Sequence, residues 1–318
     1  MHRVRRFELN TWIDAHENHE TLDMSTTVSS PPLSIDGLVE LSTDPEATRE
    51  ADNLRDSIAS LYTNPQVTRE HIITTSGAVA ANRIIFSGLI CPGDHIVCVY
   101  PVYEQLYKIS QALGAEMIVL CNPNNPTGTF LSSTMHNSVL ELAQAHDITL
   151  LVDEVFRPMF HSLPNGEKEP VSFLESGYEN CIVTSSCSKS YGIPGIRVGW
   201  IATLSKVFLS RFTQVRNYTT ISVGQIDELI AAEALSSRCR HRLIQRSLDM
   251  AKVNLTFLAK FVAEHPRVTW TPTYASTSTL IRIHHKDGRP LHDQQFALQL
   301  LRANNILFCP ASLCCCAC

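Results

Sequence analysis

Short apolar, β-branched runs alternate along most of this chain with segments whose apolar residues recur at helical spacing. Residues 53–62, NLRDSIASLY, place Leu54, Ile58, Leu61 and Tyr62 on one helical face. His71–Thr75 is a β-branched run, and after Gly77 a helical stretch continues to about Ile90. Cys91-Pro92-Gly93-Asp94 is a turn, followed by a buried strand over His95–Tyr100. Val102–Leu113 reads as a helix ended by Gly114. Met117–Cys121 is a strand, and Ser132–His146 a helix with Ser132 or Ser133 as N-cap. Ile148–Val152, Cys181–Ser185 and Val198–Thr203 are further strands.

Strands of this length alternating with helices predict an α/β fold, a mostly parallel sheet covered by helices on both faces. Residues 205–262 read as largely helical. Val268–Trp270 and Thr279–Ile283 read as strands and Leu291–Ala303 as a helix, forming a smaller α+β unit. The expected division is an irregular segment 1–50 broken by Pro31, Pro32 and Pro45, a large domain 51–220 and a smaller C-terminal domain 221–318.

A length of 318 residues suits one large domain with a smaller one. The net charge of −5, from 26 basic and 31 acidic residues, gives no basic surplus for nucleic acid. No apolar run approaches the ~20 residues of a membrane helix. The basic start, MHRVRRFELN, is followed by no apolar segment of the signal-peptide kind, so the expected location is cytoplasmic.

Of eleven cysteines, five fall in the last ten residues: Cys309, Cys314, Cys315, Cys316 and Cys318. The other six, Cys91, Cys98, Cys121, Cys181, Cys187 and Cys239, are expected to be buried free thiols. Three readings of the terminal cluster stay open: metal ligation, lipidation, or an alternative exon end, which is preferred. The cluster His16-Glu17-Asn18-His19-Glu20 reads as a solvated polar turn, and no metal site is expected.

Four pieces carry candidate chemistry, each where a strand ends, the place where open α/β sheets bind ligands. Ser76-Gly77-Ala78-Val79 leads into a helix whose first N–H groups suit a phosphate, or is a plain glycine turn. Asn122-Pro123-Asn124-Asn125-Pro126-Thr127-Gly128 is a stiff loop that fixes the direction of its Asn side chains. Asp153 follows an apolar strand and is either a helix cap or a buried carboxylate that needs a charged or donor partner. In Ser185-Ser186-Cys187-Ser188-Lys189-Ser190-Tyr191-Gly192, Lys189 is either solvated or desolvated toward its nucleophilic neutral form. Arg197, eight residues on, can return to the same place and clamp a phosphate.

Together these strings resemble the class I/II PLP-dependent aminotransferases of fold type I, in order from about residue 50 to 205 and more weakly to 310. The resemblance implies pyridoxal 5'-phosphate as cofactor. It implies Lys189 as the Schiff-base lysine of an internal aldimine, and Asp153 as the carboxylate that keeps the pyridine nitrogen protonated. Tyr103 resembles the aromatic stacked on the ring, and Asn125 the partner of the ring hydroxyl. Gly77, Ala78, Ser186 and Arg197 resemble the phosphate cup. Phe156 falls where many relatives place a tyrosine. The text from Phe7 to Asp14 and from Ser34 to Leu38 is similar to a fungal, secondary-metabolism branch.

Three departures accompany the resemblance. The tyrosine that relatives carry before Leu54-Arg55 and direct to the partner's cofactor is not evident. Only Gly114, Ala115 and Glu116 separate helix 102–113 from the next strand, where relatives insert a strand and a helix. After Pro310-Ala311-Ser312 no arginine remains to take the substrate carboxylate, so the chain reads as truncated and internally shortened. The resemblance implies transamination of an amino acid, with Lys189 moving the proton, in a homodimer that binds neither nucleic acid nor membrane. Two alternatives remain: a carbon–sulfur β-lyase or 1-aminocyclopropane-1-carboxylate-synthase-like elimination enzyme, and an inactive cofactor-binding remnant.

Overall fold

The computed structural model describes residues 8–18, 21–24, 54–91, 93–106 and 117–314. Its centre is a six-stranded sheet of β2 (Ile72–Thr75), β3 (Ile96–Cys98), β4 (Met117–Cys121), β5 (Thr149–Asp153), β6 (Cys181–Ser186) and β7 (Gly199–Thr203), in the order β2-β7-β6-β5-β4-β3. β3 to β6 run parallel, and β7 is antiparallel to both of its neighbours, β6 and β2. β2 and β4 to β6 therefore end at the same edge of the sheet, and β7 begins there.

Side-chain alternation along the strands builds a core on each face. Leu150 and Val152 of β5 join Phe173, Trp200 and Leu235 on one side. Leu151 joins Ile84, Ile85, Phe86 and Phe212 on the other. Each such fully buried side chain contributes about 1.5–3 kcal/mol. The covering helices include α2 (Leu54–Ala59), α3 (Ala78–Leu89), α4 (Ser133–Ala145), α5 (Lys206–Asn217) and α6 (Gln225–Leu235). Ser132 caps α4, its side chain accepting from the Met135 N–H at 3.4 Å.

The 205–262 region resolves into α5, α6 and the long α7 (Arg240–Glu264). Beyond it lie the hairpin pair β8 (Val268–Trp270) and β9 (Ile281–Ile283), then α8 (Asp293–Asn304), β10 (Ile306–Leu307) and the short α9 (Ala311–Cys314).

Several expectations change. β3 is an edge strand rather than a buried one: Val97 is 64% exposed, because β4 is its sole partner among the described residues. Cys91 is exposed and Cys98 half-buried, while Cys121, Cys181, Cys187 and Cys239 are buried; these six and Cys309 are free thiols. Asp153 closes β5 instead of following it. Segment 1–50 is not wholly irregular. It carries α1 (Glu8–His16) and β1 (Leu22–Asp23), and β1 pairs in parallel with β10. Local periodicity is weak there, and distant partners supply the order.

The 107–113 part of the expected helix, the 114–116 link, Pro31, Pro32, Pro45, Ser34–Leu38, His19, Glu20 and Cys315–Cys318 lie outside the described residues. No helix among the described residues is long and apolar enough to cross a membrane. Nor is any group of three or more His, Cys, Asp or Glu side chains among them placed to hold a metal ion.

Candidate active site

The strand register lines up the chemistry. Cys121 stands opposite Asp153, Asp153 opposite Thr184, and both Ser186 and Thr75 opposite Gly199. The Asn122 N–H donates to the Asp153 carbonyl at 2.9 Å, and the Glu154 N–H to the Thr184 carbonyl at 2.8 Å, which ties the loops together just past the strand ends.

Gly77 caps α3 at φ 82° and ψ 167°, a region open essentially to glycine alone. Helix geometry leaves the N–H groups of Ala78 and Val79 without an intrahelical acceptor. Arg197 reaches the same spot from the end of the short 3₁₀ turn Pro194–Ile196 before β7, itself in the left-handed region at φ 49°. Its guanidinium lies against Gly77, and its Nη1 donates to the Pro194 carbonyl at 2.9 Å and to Ser188 Oγ at 3.4 Å. Ser186 is buried, and its Oγ accepts from the Ser188 N–H at 3.3 Å. Helix start, hydroxyls and guanidinium are all groups able to donate to a phosphate.

Lys189 is half-buried in the turn after β6. Protein packed around its amine, with Arg197 nearby, pushes its pKa down to about 8, against the pull of Asp153. Asp153 is 2% exposed, and burial pushes it up to about 6. Hydrogen bonds from the Val155 N–H to Oδ1 (3.0 Å) and from Asn82 Nδ2 to Oδ2 (3.3 Å), together with Lys189, act the other way. Tyr103 shares this field: burial and the Asp153 and Glu104 carboxylates raise its phenol to about 12. The structure thus brings Lys189, Asp153, Tyr103 and Arg197 into one electrostatic group, with Gly77 against Arg197, Ala78 next to Gly77, and Ser186 bonded to Ser188, whose hydroxyl Arg197 contacts.

Asn125 sits in the loop after β4. Its Oδ1 accepts from Ser278 Oγ at 3.4 Å. The loop is clamped by distant residues. A Cβ on Gly128, at φ 66°, would stand 2.6 Å from the Ser278 carbonyl and 2.7 Å from Thr273. The Tyr274 and Ala275 N–H groups both donate to the Gly128 carbonyl at 3.0 Å. Phe156, where the resemblance suggests a tyrosine, is buried at 1% exposure.

Sequence reasoning missed two features. The amide Asn82 bonds Asp153 from the buried face of α3; an asparagine flanked by Ala81 and the apolar Ile84-Ile85-Phe86 was the available signal. Glu104, 1% exposed and next to Tyr103, accepts from the Glu8 and Leu9 N–H groups at 3.1 and 3.3 Å and so holds the start of α1 beside the site. Nothing local announces that contact, which spans most of a hundred residues.

The chain is similar to known proteins. The chain is 30% identical over 167 residues to histidinol-phosphate aminotransferase 1 of Idiomarina loihiensis, covering 52% of this chain and 42% of that one. It is 25% identical over 224 residues to 1-aminocyclopropane-1-carboxylate synthase 5 of Oryza sativa subsp. japonica, covering 56% and 42%. The chain spans about half the length of the curated relatives it matches. A crystal structure of a PLP-dependent aminotransferase from Streptococcus suis superposes with a TM-score of 0.84 at 28% identity, covering 96% of this chain and 88% of that one. The sheet order, its helices on both faces and this superposition make the fold that of the PLP fold type I enzymes. Residues 103–316, which include the loop after β4, Asp153, Lys189 and Arg197, match the family described as aminotransferase class I and II, and the chain belongs to that family.

Proposed function

We propose that the chain is a pyridoxal 5'-phosphate-dependent aminotransferase acting on a small amino acid substrate, with Lys189 as the lysine that holds the cofactor. The observation that carries this reading is the buried Asp153 within the electric field of the depressed Lys189 amine, at the strand ends where Arg197 packs on Gly77.

The residues fit the cofactor. Gly77 lacks the side chain that would fill the cradle, and the Ala78 and Val79 N–H groups, Ser186 and Arg197 would hold the phosphate. Asp153 would face the ring nitrogen, and its burial without a full cationic partner is the mark of a site built for one. Tyr103 would cover a ring face and Asn125 would bond the ring hydroxyl; Phe156 adds no such bond. When bound, the cofactor supplies an electron sink that stabilises charge at the substrate Cα.

The chain's own residues supply the rest. Lys189, with an amine pKa near 8, is close enough to neutrality to take a proton and return it, as a general base and acid must. Asp153 stays anionic above about pH 6 and so holds a proton on whatever ring nitrogen faces it. Tyr103 stays a neutral phenol across the physiological range.

A homodimer is part of this proposal. Tyr218, Ile221, Ile226 and Leu229 expose 94%, 69%, 74% and 71% of their surface around the turn from α5 into α6. Such a patch is what a two-fold contact covers. Arg216 and Glu228, in the same region, bond the Thr74 carbonyl and hydroxyl on β2, which ends at Thr75, two residues before Gly77.

The test adds a panel of amino acids and thioether conjugates to the cofactor-loaded chain and follows the visible spectrum. Keto acid release without free ammonia, the amino group passing to an added keto acid, marks transamination. Keto acid and free ammonia released together mark elimination of a β- or γ-substituent. A cofactor band that no amino acid changes would leave only an inert binder.

A further inference from the structure

Asn82 is fully buried on the core face of α3, and its side-chain amide meets three polar groups. Thr184 Oγ1 donates to Asn82 Oδ1 at 3.0 Å. Asn82 Nδ2 donates to Gln105 Oε1 at 3.2 Å and to Asp153 Oδ2 at 3.3 Å. Burying this much polar surface is costly unless every group is paired.

The direction of the amide follows from the network. Gln105 Nε2 donates to the Val79 carbonyl at 2.8 Å, and a carbonyl oxygen can only accept. Gln105 must therefore present Oε1 to Asn82, and only an N–H can face it. A flipped Asn82 would set its own oxygen against Gln105 Oε1 and Asp153 Oδ2 together. The backbone carbonyl of Val79, in the first turn of α3, thus decides that Asp153 meets a donor. The helix that begins at Gly77 carries that donor one turn further on.

We propose that Asn82, its amide oriented by Gln105, is the positioning residue for Asp153, fixing Oδ2 so that the carboxylate is held in one orientation and as the anion. This deepens the cofactor reading, since it gives the partner of the ring nitrogen its direction. The titratable groups that share the field of Asp153 are Lys189 from the turn after β6, Tyr103 from the loop after β3 and the Cys121 thiol at the end of β4.

The test unfolds the full cofactor-free chain with denaturant at stepped pH from about 3 to 8, where the proton on Asp153 contributes to stability. It compares wild type, Asn82→Leu, Gln105→Met, Asp153→Asn and the two doubles with Asp153→Asn. Losing a hydrogen bond to a charged group makes the acid weaker by about 10- to 100-fold. Asn82→Leu is therefore expected to move the Asp153-dependent part of the profile up by about one to two pH units, and Gln105→Met to move it the same way by less. In the Asp153→Asn background neither change should move it.

An Asn82→Leu profile that runs parallel to wild type, merely lower, overturns the proposal, and so does a shift that survives in Asp153→Asn. Should Asn82→Leu not fold, Gln105→Met decides alone, and an unmoved profile there is a refutation. Titration with pyridoxal 5'-phosphate keeps the two readings apart: a shifted profile in a chain that binds no cofactor supports the positioning role and removes the cofactor reading.

Discussion

A Cβ on Gly77 would stand 2.6 Å from Nη2 of Arg197, so any side chain at Gly77 displaces the Arg197 guanidinium. The two residues are far apart in sequence, and neither conformation is an easy one for an ordinary residue. Gly77 sits at φ 82° and Arg197 at φ 49°. Gly77→Ala is expected to cost about 1–3 kcal/mol in stability from backbone strain alone. It should also weaken pyridoxal 5'-phosphate binding through the displaced Arg197. Denaturant unfolding and a cofactor titration measure the two effects, and unchanged cofactor affinity would separate Arg197 from the phosphate.

Borohydride reduction of the cofactor-loaded chain, followed by peptide mapping, is expected to label Lys189. Lys189→Ala should lose the label and lower turnover by at least about 10²–10⁴-fold. In the folded chain the lysine pKa is depressed to about 8 from 10.5. The unfolded chain therefore binds more protons between those values, and stability rises with pH through that window. Lys189→Met should abolish the rise. A label on another lysine would refute the assignment.

Asp153 shifts the other way. Its folded pKa of about 6 lies above the ordinary 3.8, so its contribution to stability is complete below about pH 4 and is lost as pH rises through 6. The shift corresponds to about 3 kcal/mol. Asp153→Asn should flatten that part of the stability profile and keep bound cofactor, yet lose about 10²-fold or more in turnover. Near-normal turnover would count against Asp153 as the partner of the ring nitrogen.

The wild-type chain is expected to sediment as a dimer at micromolar concentration. Ile226→Asp with Leu229→Asp should convert it to monomer, because two charges would be buried without partners in a closed two-fold contact. Neither side chain belongs to the buried core, so thermal stability of the monomer should fall little. Sedimentation of the wild type as monomer alone would remove the dimer from the proposal.

Much of the central sheet was legible along the chain. β2, β4, β5, β6 and β7 all fall within a residue or so of the apolar or β-branched runs that announced them, since strands buried on both faces are rich in such residues. The Ser132 cap was also readable, because capping is a contact between neighbours. So was the position of Lys189, Asp153 and Arg197 near strand ends, because Asp153 closes an apolar run and the turns that carry Lys189 and Arg197 lie between two such runs.

Tertiary structure decided what depends on pairing at a distance. The residue pattern of 95–100 could not say that β3 stands at the sheet edge, because edge and centre differ only in whether a second neighbour is present. β1 is two residues long and forms against β10 near the other end of the chain, with no periodicity of its own to read. The Gly128 loop is clamped by residues 273–278, and a local reading finds only its turn chemistry. Asn82 looks like one polar residue in an apolar helix. Only the fold brings Gln105, Thr184 and Asp153 around it, and the direction of its amide is set by a chain of donors and acceptors that ends on the Val79 carbonyl. The sequence by itself determined where strands and helices form and which reactive groups stand at their ends, since those follow from contacts between near neighbours. The folded arrangement alone decided which groups share one electric field and which way each hydrogen bond points, because both depend on positions that only long-range packing sets.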